Sequence, residues 1–149
     1  MSSYTEEVGT SLNTLLELTF DAEKGFLKAA ENTEHPNLKA FFTKKSTEFY
    51  DFRYELKEEI RKYGQTIEKG GSTTSTVHRA WMEIKSVFSF NNDEAILEEV
   101  LKVANDTMKE YECVLSNTDL LTSTAEILTN QKNIITVNIN TIKGLVAID

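Results

Sequence analysis

Little in this chain can interrupt a helix or staple a fold covalently. One proline, six glycines and one cysteine occur among 149 residues. The lone Cys113 excludes an internal disulfide framework and fits a reducing compartment, so the cytoplasm is the expected location. No apolar run approaches the roughly 20 residues that a membrane span needs. The opening Met1-Ser2-Ser3-Tyr4-Thr5-Glu6-Glu7 has neither the basic region nor the apolar stretch of a secretory signal. Basic residues are the minority charge, 16 against 24 acidic, for a net charge of −8. A nucleic-acid partner requires a basic surface that displaces counterions, and an anionic membrane repels this balance, so neither is expected. The short basic clusters Lys44-Lys45 and Arg61-Lys62-Lys69 are interleaved with acids and read as solvated faces.

What the chain does contain is helical spacing. Ser3-Tyr4-Thr5-Glu6 has the form of a capping box, and Val8, Leu12, Leu15, Leu16, Ala22, Phe26 and Ala30 follow at helical intervals. Pro36 opens a second segment, where a missing N–H costs nothing. Its stripe is Leu38, Phe42, Phe49, Phe52, Leu56, Ile60 and Tyr63, and Gly64 ends it. Asp93 and Glu94 suit the first turn of a third, with Leu97, Val100, Leu101, Ala104, Met108, Tyr111 and Leu115 inward. A fourth follows Thr118 as N-cap, with Leu121, Ala125, Leu128, Ile135, Ile139, Ile142 and Val146 as its seam, interrupted at Lys132. The helices are expected over about 4–31, 36–63, 92–115 and 119–146, with a short one over 75–89.

The links decide the topology. Residues around Asn32 to His35 and Ser116-Asn117 are short enough to make two antiparallel hairpins. About 28 residues, Gly64 to Asn91, join the hairpins. A simple up-down bundle needs no such length. A connection that runs the whole bundle, roughly 40 Å for a 27-residue helix, does need it. The expectation is therefore all-α: one domain over 1–149, a ferritin-like four-helix bundle with a long crossover that carries a short extra helix between helices 2 and 3.

Folds of this kind often hold a di-metal centre built from inward Glu residues and two Glu-x-x-His pairs. Only His35 and His78 exist here, and Asn32 and Ser75 stand three residues before them, so neither pair forms. No metal is expected. Iron held by a reduced carboxylate set, for iron or peroxide handling, is the alternative, with Glu17 and Asp21 on the first helix and Glu48, Asp51 and Glu55 on the second as candidates. Against that, most acids on bundle helices are surface charges. A thiol enzyme is also disfavoured, because Cys113 follows Glu112 and has no histidine nearby.

The crossover carries the densest chemistry. Gly70-Gly71-Ser72 precedes a Ser/Thr run and then His78-Arg79-Ala80-Trp81 and Lys85, with His78, Trp81 and Lys85 on one helical face. An anion at this helix start is one reading. The stronger is a structural crossover motif, Gly71, Ser72, His78, Arg79, Trp81 and Lys85. In it the Trp81 indole packs on the bundle, and its N–H meets a loop carbonyl or a bundle carboxylate. The combination of Phe20-Asp21-Ala22-Glu23-Lys24-Gly25-Phe26, Ala29-Ala30-Glu31, Glu55-Leu56, Gly71-Ser72 and His78-Arg79-Ala80-Trp81 with Lys85 resembles the bacterial ferritin-like four-helix-bundle family catalogued as domain of unknown function 2383. The resemblance runs from about Leu12 to Leu145 and implies a ferritin-like fold without implying a reaction. Where that family's pattern has Glu-x-Gly-Glu-Asp in helix three and a late histidine in helix four, this chain has Leu101, Val103, Ala104, Asn105 and Ile139. The expected role is association, either as a homo-oligomer, a dimer first, or with a partner protein, with Tyr4, Tyr50 and Tyr54 as exposed aromatics that could form the interface.

Overall fold

The computed structural model of the chain describes residues 2–67, 79–81 and 93–148. Four long helices carry the fold: α1 (Ser2–Asn32), α2 (Pro36–Lys62), α3 (Asp93–Asn117) and α4 (Thr122–Ile148). Arg79 to Trp81 are also helical, inside the span expected for the crossover helix. The rest of that expected helix, the Gly-Ser loop and the side chain of the expected Ser3 cap lie outside the described residues. Among the described residues there is no strand, and no helix is long and apolar enough to cross a membrane.

The helix ends follow local chemistry. His35 caps α2: its Nδ1 accepts from the Leu38 N–H at 3.4 Å, and Pro36 fills the first helical position. At the other end Gly64 takes φ +70°, its N–H donates to Arg61 O at 2.9 Å, and the Gln65 N–H reaches back to Ile60 O at 3.2 Å. This is the paired arrangement that satisfies the last carbonyls of a helix, and it needs a left-handed residue at that position. The fourth helix starts at Thr122 rather than at 119, and α3 continues to Asn117. The Leu121 N–H explains the shift, because it donates to the Tyr63 hydroxyl at 3.0 Å and so ties the linker to the end of α2.

Cross-helix contacts give the directions. Glu23 pairs with Arg53 and Asn13 donates to Thr66 O, so α1 and α2 are antiparallel. Tyr111 bonds Gln131 and Thr136 donates to Met108 Sδ, so α3 and α4 are antiparallel. Glu59 meets Thr124 while Glu48 meets Asn138, so α2 and α4 are antiparallel too. It follows that α3 runs parallel to α2. The end of α2 and the start of α3 therefore lie at opposite ends of the bundle.

The expected stripes pack into the core, with Leu101, Met108, Leu115 and Ala125 only partly buried. Every apolar position named for α1 and α2 is buried, from Val8 to Ala30 and from Leu38 to Tyr63. Phe26 lies at the aromatic centre, with ring centroids 5.6 Å from Phe49, 6.1 Å from Phe42 and 5.5 Å from Trp81. In α4, Leu128, Ile135, Ile139 and Ile142 are buried as expected. Leu121 is not: it belongs to the linker and is exposed. The side chain of Val146 lies outside the described residues.

Candidate functional site

The inward face of α4 is not wholly apolar. Thr124, Gln131 and Asn138 recur every seven residues and are buried. Seven-residue spacing returns a side chain to the same helix face, so all three look at α2. Each meets a carboxylate there. Thr124 Oγ1 donates to Glu59 Oε1 at 2.8 Å, Gln131 Nε2 to Glu55 Oε1 at 2.9 Å, and Asn138 Nδ2 to Glu48 Oε1 at 3.1 Å.

Each rung has a further partner. Lys45 Nζ lies 3.2 Å from Glu48 Oε2, and Lys62 Nζ lies 2.9 Å from Glu59 Oε2. The Tyr63 hydroxyl donates to Thr124 Oγ1 at 3.0 Å while accepting from the Leu121 N–H. In the middle rung the Tyr111 hydroxyl of α3 donates to Gln131 Oε1 at 2.6 Å. Tyr111 is wholly buried, and that burial, with Glu55 nearby, pushes its phenol well above the usual tyrosine range. Gln131 thus joins three helices by accepting from Tyr111 with its carbonyl and donating to Glu55 with its amide. Its amide also reaches Phe52 O at 3.3 Å.

On the solvent side the ladder opens into a groove of about 540 Å³ between α2 and α4, where Glu48, Asp51 and Glu55 face Asn130, Gln131 and Asn133. Three of the five candidate metal acids therefore meet at one groove. Glu17 and Asp21 stay half-buried on α1 and do not line it. Among the described residues no three His, Cys, Asp or Glu side chains come together in a way that could hold a metal ion. Val103, Ala104 and Ile139, where the family pattern has glycine, an acid and a histidine, are buried in the core.

The mid-helix position of α4 is occupied differently from the sequence expectation. Lys132 lies on the flank 3.6 Å from Glu112, and its neighbour Gln131 points inward. The signal for Gln131 was present, as part of a polar seven-residue repeat offset by one from Lys132. It is easily missed because the apolar repeat is denser.

The crossover motif is described at Arg79 and Trp81 only. Arg79 is exposed. Trp81 is buried between α1 and α3, and its Nε1–H donates to Thr107 Oγ1 at 3.2 Å. The partner is thus a helix hydroxyl and not the loop carbonyl or carboxylate expected. Thr107 passes its own hydrogen on to Val103 O at 2.9 Å. Gly71, Ser72, His78 and Lys85 lie outside the described residues. Of the candidate interface aromatics, Tyr50 and Tyr54 are exposed, while Tyr4 is half-buried and packs edge-on against Tyr63.

An all-α bundle closed by a polar ladder is the class that these observations define. The family described as "Domain of unknown function (DUF2383)" matches residues 7–117, and the chain belongs to it. The match stops at the end of α3, so the helix that donates every rung of the ladder lies beyond it, as does the part of the expected resemblance that runs on to Leu145. No curated protein and no solved structure matches the chain.

Proposed function

We propose that this chain is a single ferritin-like domain over residues 1–149 that holds no di-metal centre and acts by association, with itself or with a protein partner, in the cytoplasm. Support for the ferritin-like topology is the parallel run of α2 and α3, which a long crossover must connect. The crossover motif then acts as a fastener, with Trp81 seated between α1 and α3.

One observation carries the metal-free reading: the α2 carboxylates that face α4 already have donors, each on its own level. Glu48, Glu55 and Glu59 receive an amide or hydroxyl donor from α4, and two of them also have a lysine. Seven residues separate Glu48 from Glu55, about 10 Å along the helix. A shared ion requires oxygens within roughly 2.0–2.2 Å of one point. Amide N–H donors and ammonium groups aimed at the carboxylates compete for the lone pairs that a cation would use. This donor set does not fit an iron pair.

Metal analysis of protein purified without chelators, followed by anaerobic Fe(II) titration and readmission of oxygen, tests the reading. The expected result is no stoichiometric uptake and no oxidation signal. Saturable Fe(II) binding that is lost in Glu48→Ala or Asp21→Ala would overturn it in favour of iron handling by a reduced carboxylate set.

A further inference from the structure

The bundle is two hairpins, α1–α2 and α3–α4, and the two seams between them are built differently. Where α1 meets α3 the seam is dry. Trp81 is buried in it, with its ring centroid 5.5 Å from Phe26 and its Nε1–H on Thr107. Where α2 meets α4 the two backbones come close at fewer places than in any other neighbouring pair. The rungs span that gap, and the groove of about 540 Å³ admits solvent to Glu48, Glu55 and Gln131.

We infer that the molecule opens like a book, with the α1–α3 seam as its spine and the α2–α4 rungs as its latch. The chain connections permit this motion. Residues 33–35 and 118–121 are short links, so the two helices of each hairpin move together. One connection joins the hairpins, and its described residues lie against α1: Gln65 beside Gly9, Thr66 O on Asn13, and Trp81 on Gly25. The latch is stronger at one end. Beside the 118–121 link, Tyr63 holds the Leu121 N–H and Thr124, and Ser11 Oγ lies 3.2 Å from Thr118 Oγ1. At the opposite end the Glu48–Asn138 rung is the last polar contact between α2 and α4 among the described residues, so parting begins there.

The chemistry of the seams decides which one parts. A hydrogen bond broken into water is replaced by hydrogen bonds to water, so its net loss is small. A dry apolar contact has no such substitute. Glu55, Asn130 and Asn133 are exposed and Glu48 is half-buried, so the rungs exchange partners with solvent at little cost. Trp81, Phe26 and the flat face of Gly25 offer water nothing in return, and the spine holds. Gln131 accepts from Tyr111 of its own hairpin and keeps that bond, releasing Glu55 and Phe52 O. Opening uncovers apolar surface: Phe52 on α2, with Leu128 and Ile135, which flank Gln131 on the same face of α4. A molecule whose inner faces are covered thus becomes one that presents them. The hinge stands apart from the association reading and does not depend on it.

Paired spin labels read by double electron–electron resonance test this on the full chain in a Cys113→Ser background. Asp51→Cys with Asn133→Cys flanks the latch at two exposed groove positions. Lys28→Cys with Lys102→Cys places labels at exposed positions on the two helices of the spine. The latch pair is expected to give a major short distance and a minor longer one, and the spine pair a single distance. Asn138→Ala removes the donor to Glu48. It is expected to raise the ratio of longer to shorter distances at the latch about threefold to tenfold, the effect of one hydrogen bond, and to leave the spine pair unchanged. A single distance at the latch in the parent background would overturn the inference. So would an unchanged ratio in Asn138→Ala with its helical circular dichroism retained. A longer population that grows alike at both seams would overturn it too, since that is general loosening and not a hinge.

Discussion

Gly25 lies flat against the indole of Trp81. A methyl group added to Gly25 would overlap the ring edge, 2.6 Å from Cζ3 and nearer still to Cε3. Glycine inside a helix normally costs about 0.5–1 kcal/mol relative to alanine. Here the cost is accepted because the indole occupies the space. Gly25→Ala is therefore expected to destabilise the protein by about 1–3 kcal/mol, against its helix propensity. Trp81→Ala is expected to cost roughly 3–5 kcal/mol, since a buried indole and its bond to Thr107 are both lost. In the double variant the added methyl meets no ring, and Gly25→Ala becomes neutral or stabilising. Urea unfolding of the four proteins reads this coupling directly. Additive losses would mean that the two residues do not share this contact.

Gln131 holds the Tyr111 hydroxyl and Glu55 Oε1, and among the described residues it is the hydrogen-bond partner of both. Gln131→Ala strips both of their bonds and opens a cavity, so a loss of about 2–5 kcal/mol is expected. Gln131→Leu fills the volume but still leaves the buried phenol unpaired. Combining it with Tyr111→Phe removes the orphaned hydroxyl, and stability is expected to recover by about 1–3 kcal/mol relative to Gln131→Leu alone. Thermal or chemical unfolding of the set checks this. Equal stability of Gln131→Leu and the double variant would show that the phenol finds another partner.

These two residues mark where sequence reasoning succeeds and where it stops. Trp81 is legible as a buried side chain because a lone indole beside a regular bundle has few other uses. Its partner Thr107 is not, since one helical threonine resembles any other until the helices are placed. The two antiparallel hairpins follow from link length, because a chain cannot cross a bundle in four residues, whereas the parallel direction of α3 rests on the Glu59–Thr124 and Glu48–Asn138 contacts. Gln131 escapes notice because periodicity ranks apolar residues. A polar residue at an inward position reads as an interruption until the carboxylate across from it is known. Glu48 and Glu55 stand out as acids of α2, but their orientation toward Asn138 and Gln131 depends on the α2–α4 register, which no local pattern encodes. The start of α4 lies at Thr122 and not at 119, where the Leu121 N–H is tied to the Tyr63 hydroxyl by a long-range bond.

The buried phenol of Tyr111 makes stability depend on alkaline pH. Its pKa is raised in the folded protein from an ordinary value of 10.0, by burial first and by Glu55 second. Below about pH 10 the group is protonated in both states, and its contribution is fully present. Above that, the unfolded chain releases the proton while the folded chain keeps it, so unfolding gains free energy and stability falls as pH rises toward the folded-state value. Denaturation midpoints are expected to drop steadily from about pH 10 upward, and Tyr111→Phe is expected to flatten that drop. An identical alkaline slope in the variant would assign the loss to other groups.

Gly64 gives a test free of packing effects. Its φ of +70° lies in the left-handed region, and nothing lies within 4 Å of where a Cβ would be. A side chain there meets open space, so the entire penalty is conformational. Gly64→Ala is expected to cost about 1 kcal/mol, and Gly64→Asn less, because asparagine tolerates this conformation better than alanine. Both should leave the spectrum of the folded state unchanged, because the capping bonds to Arg61 O and Ile60 O use backbone N–H groups that survive the substitution. A loss of several kcal/mol in Gly64→Ala would mean that the turn after α2 has moved. The Tyr63–Leu121 tie and the Glu59–Thr124 rung next to it would then be lost as well. Hydrogen exchange at the Leu121 amide separates the two outcomes, since it stays protected only if Tyr63 remains in place.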